Sequence, residues 1–334
     1  MSEPSFIDVV ICTYNRALLL DRALAALARQ QNTEDVAWSV LVVDNNSTDA
    51  TGATVEAHRR VGRIPGLRIE REPEQGLTPA RRRGVLATTA PWIVFVDDDC
   101  LLAEDWVAQA AAFLRTHPDI GGMGGRVELD WGGPPPGYVH GYGWALAAQD
   151  HGAEAKEVGS LAGAGMVIRR EALGACGWLD RPLLADRIGT RLVSGGDVEL
   201  TLRVRGAGYA LWYNPACVLR HVVDAERTSR RYLLRLIRGL GVSQTLADAL
   251  VWGKGYEAWR ETSHRVVRRR AIETARGLGR AIRRRRALTP ALFDASFAWG
   301  QWRGLRQVER MPVAQRDRLP GCAAPADASP AEAV

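Results

Sequence analysis

The chain has 334 residues, of which 46% are hydrophobic and 25% charged, and its formal net charge is +6. This is the composition of a soluble globular protein, with room for one large domain or one domain and an appendage. Its five cysteines, Cys12, Cys100, Cys176, Cys217 and Cys322, are scattered without CxxC spacing, so neither a zinc site nor a disulfide framework is indicated.

The net charge conceals a segregation. Residues 1–224 hold 22 Lys+Arg against 28 Asp+Glu, whereas residues 225–334 hold 22 against 10. The expectation is an acidic globular half and a basic tail that meets an anionic surface. Met1-Ser2-Glu3-Pro4 leads straight into a strand with no basic-then-apolar leader, and no run of about 18 apolar residues could span a bilayer. A cytoplasmic location is expected, with the inner face of the plasma membrane as a place for the tail.

In chain order, Phe6 to Cys12 reads as a strand, Thr13-Tyr14-Asn15-Arg16 as the turn after it, and 16–31 as an amphipathic helix. Trp38 to Val43 is a second buried strand, followed by the polar turn Asp44-Asn45-Asn46-Ser47-Thr48-Asp49 and a helix over 50–60. A short strand near Leu67–Ile69, a helix over 78–89 and the strand Trp92 to Val96 come next. This alternation implies crossovers and a largely parallel sheet. Gly121 to Gly143, rich in Gly and Pro, reads as a loop or lid. Gly163 to Ile168 reads as a strand, Gly195 to Gly206 as a helix, and Tyr209–Tyr213 and Ala216–Leu219 as two short strands ending at His221. Helices are expected over 229–250, 256–286 and 290–310, and disorder over 313–334. The middle helix sets Val267, Ala271, Ala275, Leu278 and Ile282 on one side, flanked by arginines.

The most informative stretch is Trp92 to Cys100, an apolar strand with Asp97, Asp98 and Asp99 just beyond its end. Ionised carboxylates at the edge of a core need a cation or hydrogen-bond donors, and open α/β sheets bind ligands at the carboxyl ends of their strands. The strand is too apolar for an edge, which favours a ligand site over a solvated acidic turn. Further polar groups follow other strand ends: Thr13 to Arg16, Asp44 to Asn46, and Gly195-Gly196-Asp197-Val198-Glu199, with Gly76 to Arg81 in between. Singly, each has an ordinary reading, such as Asp44 capping a helix.

In this order the motifs resemble those of the family-2 glycosyltransferases of GT-A fold, over about residues 5–223. The resemblance implies a Rossmann-like, mostly parallel sheet flanked by helices, here with a C-terminal helical extension over 225–312. It implies inverting transfer of a sugar from a nucleotide-diphosphate sugar, UDP-linked by preference, to a hydroxyl of a glycan, lipid-linked or secondary-metabolite acceptor, with Mg2+ or Mn2+. Thr13, Asn15, Arg16, Asp44, Asn46, Arg81, Asp97 and Asp98 would lie on the nucleotide-sugar, Asp99 and His221 at the metal, and Asp197 would be the catalytic base. Gly165, Trp178, Gly196 and Glu199 would lie toward the acceptor. Many members carry Glu where this chain has Gly196.

Physical chemistry is compatible with those roles. A divalent cation on carboxylate oxygens neutralises a diphosphate leaving group, and a carboxylate opposite takes the acceptor's proton. For Glu199 a first-turn charge is an equal alternative, for His221 a structural histidine, and for Trp178 a packing role. A nucleotide-sugar pyrophosphorylase would share the acidic site but should carry a Gly-rich loop after the first strand, which Thr13 to Arg16 is not. A non-catalytic nucleotide-binding protein is the third reading. No Gly-x-Gly-x-x-Gly follows a strand, and aromatics are not interleaved with the tail arginines, which disfavours a dinucleotide enzyme and a nucleic-acid binder. For the tail, packing on the catalytic domain or on a second subunit in a homodimer competes with peripheral membrane contact.

Overall fold

The structure is a computed structural model that describes residues 6–184, 195–253, 255–284, 287–317 and 319. Two runs of β-branched residues, Ile7–Thr13 (β1) and Trp38–Asp44 (β2), pair in parallel, and Ala17–Leu27 (α1) crosses between them. After Thr51–Val61 (α2), Arg68–Arg71 (β3) adds in parallel to β2. Leu77–Leu86 (α3) then leads to Trp92–Asp97 (β4), parallel to β1 on its other side. β1 is buried throughout, so its two faces need two covering layers. Ile7, Val9 and Ile11 pack with Leu20 and Leu24 of α1 and Val55 of α2, while Val10 packs with Ala80 and Val85 of α3 on the opposite face. The period-two alternation of a strand thus assigns α1 and α2 to one layer and α3 to the other.

Beyond β4 the sheet changes character. Cys100–Leu102 (β5) and Trp106–Thr116 (α4) follow the aspartates, then Gly122–Trp131 (β6), Lys156–Glu157 (β7), Met166–Arg169 (β8), Arg170–Ala175 (α5), Gly196–Gly206 (α6) and Leu211–Val223 (β9). The order is β3-β2-β1-β4-β8-β6-β9-β5, with β7 also on β9. β8 lies antiparallel between β4 and β6, and β5 and β7 lie antiparallel on β9, whereas β6 and β9 are parallel. The sheet is therefore mixed rather than mostly parallel.

Three expectations change for stated reasons. Gly122 to Trp131 is a ten-residue strand, not a loop. Its glycines mark close backbone approach, since a Cβ at Gly125 would collide with the Cys217 carbonyl and one at Gly122 with that of Val167. The two short strands after Tyr209 are one strand, β9, whose register against β6 shifts at Gly125/Arg126, absorbing Pro215. Helix α4 was not anticipated; Trp106, Val107, Ala110, Ala111 and Leu114 bury its apolar face in the α1 layer.

The expected C-terminal helices are Arg230–Leu250 (α7), Tyr256–Arg283 (α8) and Thr289–Glu309 (α9). α7 and α9 approach closely because Gly241 and Gly300 each face the other's backbone with no room for a side chain. Phe293 of α9 and Leu233, Leu236 and Ile237 of α7 close over Val139, Leu146 and Val223, which ties these helices to the sheet. α8 buries only Tyr256, Trp259 and Val267, so the apolar line expected along it stays uncovered beyond Val267. Val313–Arg316 (α10) is a helical turn where disorder was expected; residues 320–334 of that tail lie outside the described residues.

Gly125→Ala is expected to cost about 1–3 kcal/mol by overpacking. Urea unfolding measures this, and a neutral substitution would return the segment to a loop.

Candidate active site

The carboxyl ends of β1 and β4 open into a cavity of about 870 Å3. This volume is in the range of a small-molecule site. Asp98 and Asp99 sit at its base, and both are buried. Thr13 Oγ1 donates to Asp98 Oδ2 at 2.8 Å. Arg16 Nη1 bridges Asp98 Oδ1 at 3.0 Å and Asp99 Oδ2 at 2.9 Å. Arg227 Nη1 reaches the same Asp99 Oδ2 at 2.9 Å. Burial and the neighbouring Asp99 push Asp98 up to about 7, against the opposing pull of Arg16 and Thr13. For Asp99, burial also acts upward, but the His221 contact and the charges of Arg227 and Arg16 outweigh it and hold the group well below the carboxylate range.

His221 stands beside this pair. Its Nδ1 lies 2.8 Å from the Leu146 carbonyl, which can only accept, so Nδ1 is the donor. Nε2 is then the atom turned to Arg227 Nη1 at 3.1 Å and Asp99 Oδ1 at 3.4 Å. Asp97 is more open, and its Oδ1 is 3.8 Å from Arg81 Nη2. Arg81 is itself buried, with its guanidinium over the Phe95 ring. Asp97, Asp99 and Cys100 place one ligand atom each within 4.8 Å of one another. Burial, with Asp99 nearby, pushes the Cys100 thiol well up, and the two carboxylates are the hard oxygen donors of the three.

Asp197, in the first turn of α6, also lines the cavity. Its Oδ2 accepts from the Gly163 backbone N–H at 3.1 Å and its Oδ1 from Val198 N–H at 2.9 Å. A Cβ at Gly163 would stand 3.0 Å from both Asp197 Oδ2 and Arg81 Nη2, so the glycine leaves space for both groups. The cavity thus has a cationic and acidic base and a separately anchored carboxylate.

The other sequence-derived positions fall elsewhere. Asp44 Oδ1 accepts from Ser47 N–H and closes its turn, while the neighbouring Asn45 lines the cavity. Asn15 and Asn46, both with left-handed backbone, brace loops against Thr48 and Arg71. Trp178 is buried among the residues of the α3 layer, so it packs and offers no shelf to an acceptor. Glu199 is fully buried; it accepts from the Leu183 and Leu184 N–H groups and pairs with Arg203 at 2.8 Å, which makes it neither a surface charge nor an acceptor contact. Gly165 has φ +68°, and a side chain there would strike Leu219, so it faces the core. Gly196 is buried at the start of α6 and carries no side chain into the cavity.

Two contributors escaped the sequence reading. Asn45 donates to the Glu72 and Glu74 carbonyls and accepts from Gly76 N–H, fastening the loop before α3. Arg227, in the turn Ala225–Thr228, was counted only as tail charge; its six-residue distance from His221 was the available signal.

A mixed sheet with this acidic cleft at its parallel strand ends is the GT-A arrangement. A family profile described as "Glycosyl transferase family 2" matches residues 8–176, just over half of the chain, and the chain belongs to that family. It is similar to glycosyltransferase AglE of Haloferax volcanii, 27% identical over 212 residues, covering 62% of this chain and 64% of the relative. It is also similar to a PGL/p-HBAD biosynthesis glycosyltransferase of Mycobacterium tuberculosis, 33% identical over 141 residues, 40% of this chain and 52% of the relative. A validoxylamine A glucosyltransferase of Streptomyces hygroscopicus is 36% identical over 112 residues, 33% of this chain and 26% of the relative. The chain therefore spans less than two thirds of these relatives. Among solved structures, GalNAc-T7 with UDP, GalNAc and Mn2+ shares the fold, with a TM-score of 0.55 at 16% identity over 76% of this chain and 49% of that one.

Replacing Arg227 by Met leaves the buried Asp99 with Arg16 and His221 alone. The expected loss is about 3 kcal/mol, the lower end for breaking a buried pair, read by chemical denaturation. A loss within experimental error would make Arg227 a bystander.

Proposed function

We propose that this chain transfers a sugar, with inversion, from a nucleotide-diphosphate sugar, UDP-linked by preference, to an acceptor hydroxyl, with Asp197 as general base. The observation that carries the reading is one cavity holding two separately supported groups. One is the Asp98–Asp99 pair with its arginines; the other is Asp197, anchored by the backbone N–H groups of Gly163 and Val198. Arg227 Nε is a buried donor without a partner among the described residues, and a diphosphate oxygen would satisfy it.

The donor set also fits a divalent cation. Asp99 Oδ2 is taken by two arginines, but Oδ1 faces His221 Nε2, and the Asp97 carboxylate is close by. The carboxylate oxygens of Asp97 and Asp99 suit Mg2+ or Mn2+, while His221 Nε2 stands outside that group, against Arg227 Nη1. When bound, such an ion neutralises the charge gathering on the leaving diphosphate. Arg16 and Arg227 fix the Asp99 carboxylate, Thr13 fixes Asp98, and the Leu146 carbonyl fixes the His221 tautomer. Gly163 and Val198 N–H groups hold the Asp197 carboxylate open to an attacking hydroxyl. Its uptake of that proton as the new bond forms, with the nucleotide leaving on the opposite side, gives inversion without a covalent intermediate.

Asp197→Asn keeps the shape and removes the proton acceptor. It is expected to retain nucleotide affinity and lose at least about 100-fold in transfer, measured at saturating donor. Transfer within a few-fold of the parent places the base elsewhere. Asp99→Ala is expected to abolish metal-stimulated nucleotide release from UDP-sugars; full activity of this variant in chelator removes the metal from the reading.

A further inference from the structure

Arg227 Nη1 holds two atoms that could otherwise ligate a cation. It donates to Asp99 Oδ2 at 2.9 Å and lies 3.1 Å from His221 Nε2. Because His221 Nδ1 donates to the Leu146 carbonyl, Nε2 carries the lone pair, and Arg227 is the donor that faces it. Arg16 Nη1 donates to the same Asp99 Oδ2 at 2.9 Å. Asp99 Oδ1 and the Asp97 carboxylate are what remain for a divalent ion. A guanidinium in direct contact with a buried carboxylate also opposes a second cation there, and burial leaves that repulsion poorly screened.

Arg227 is not fully committed to these partners. Its Nε is buried and has no partner among the described residues, although the residue lines the main cavity. The backbone beneath it is fixed. Tyr138 Oη donates to the Thr228 carbonyl at 2.9 Å, and Thr228 Oγ1 to that of Ala225 at 2.7 Å, which closes the turn Ala225–Thr228. The side chain can therefore re-aim by its own rotations, from Asp99 and His221 to an anionic oxygen in the cavity, without moving the turn. A diphosphate offers such oxygens. An arginine–phosphate pair is charge-assisted and often bidentate, so it replaces the bonds given up at Asp99 and His221.

We propose that Arg227 is a positioning residue that couples the binding of a divalent cation to the binding of the nucleotide. On Asp99 and His221 it lowers the affinity of the site for the cation; drawn onto the diphosphate, it frees both of those groups to act as ligands. This deepens the transferase reading, on which the nucleotide half of the coupling rests. Linkage makes the effect reciprocal, so the cation tightens the nucleotide by the same factor. Direct contact between cation and diphosphate would also couple the two, but it predicts nothing for the cation alone. The arginine does. Without its guanidinium, the affinity for the cation rises with no nucleotide present, whereas loss of a merely structural arginine would lower it.

The test is titration of the full chain with Mn2+, followed by the electron paramagnetic resonance of the free ion, with and without UDP. Without UDP, Arg227→Met is expected to bind Mn2+ at least about tenfold more tightly than the parent. Arg227→Gln, whose amide still gives Asp99 a donor if the methionine variant fails to fold, is expected to do the same. Arg227→Lys keeps the charge and stays within a few-fold of the parent. UDP then tightens Mn2+ less in the two neutral variants than in the parent. Replacing His221 by Ala in the Arg227→Gln background removes part of the gain, since Nε2 is one of the freed ligands. Neutral variants that keep the parent's circular dichroism but bind Mn2+ no more tightly, or no Mn2+ binding by any of these proteins, would overturn the proposal. UDP affinity is read on the same preparations. A parent that binds no UDP sinks the transferase reading, while the Mn2+ affinities without nucleotide still decide whether Arg227 opposes the cation.

Discussion

Two adjacent carboxylates, Asp98 and Asp99, are buried side by side at the end of a fully apolar strand, and the arrangement of the site follows from that constraint. Like charges so placed cannot both remain ionised without compensation. The protein supplies it unevenly. Asp99 receives Arg16, Arg227 and His221 and stays a strong anion, while Asp98 is left with Thr13 and a share of Arg16 and is pushed upward. The two carboxylates thus sit in unlike surroundings, one with three cationic or imidazole neighbours and the other with a hydroxyl and a shared arginine. The compensating groups come from the end of β1, the start of α1, β9 and the turn after it, so chain segments up to 214 residues apart in sequence are fixed to one another through a single acidic pair.

The mixed sheet makes that convergence possible. Parallel strands β1, β2 and β4 direct their carboxyl ends, and the polar turns after them, to one edge. A purely parallel continuation would need helical crossovers and would carry the chain away from that edge between strands. Instead β5 returns antiparallel to β9 immediately after the aspartates, pairing Cys100 with His221. The imidazole next to Asp99 is thus a product of strand register. The same register shift that accommodates Pro215 sets which β9 residues reach this edge.

How far the sequence disclosed this depends on whether a residue's signal was local. The parallel half was legible because β-branched runs and amphipathic helices alternate, and its strands and helices lie within a few residues of the expected bounds. The Asp triplet stood out because three charges after an apolar strand need an explanation. By contrast, the glycines of β6 mimic loop punctuation; only the Cys217 and Val167 carbonyls, distant in sequence, show that they serve close strand packing. Glu199 and Trp178 were ambiguous for the same reason. A carboxylate one turn into a helix reads as surface charge until Arg203 and the Leu183 and Leu184 amides are seen to enclose it. Asn45 was hidden beside the more conspicuous Asp44, since its task is to bind backbone groups whose position no sequence pattern reveals.

Charge segregation, the plainest property of the chain, misled on one point and informed on another. Counting Arg227 with the basic tail concealed that it is buried against the acids of the catalytic half. Its Nη1 touches both Asp99 and His221, so removing the tail's first turn would leave the buried acid undercompensated. The helices that follow are held to the sheet through Leu233, Ile237 and Phe293, which keeps that turn in place. Farther along, where α8 leaves the core, arginines cease to be matched by buried acids. The same residue type thus has two physical roles on either side of α7. Near the cleft it neutralises carboxylates that the fold has buried; beyond it, along α8, it stands exposed at the surface or in ion pairs with acids of its own or the next helix.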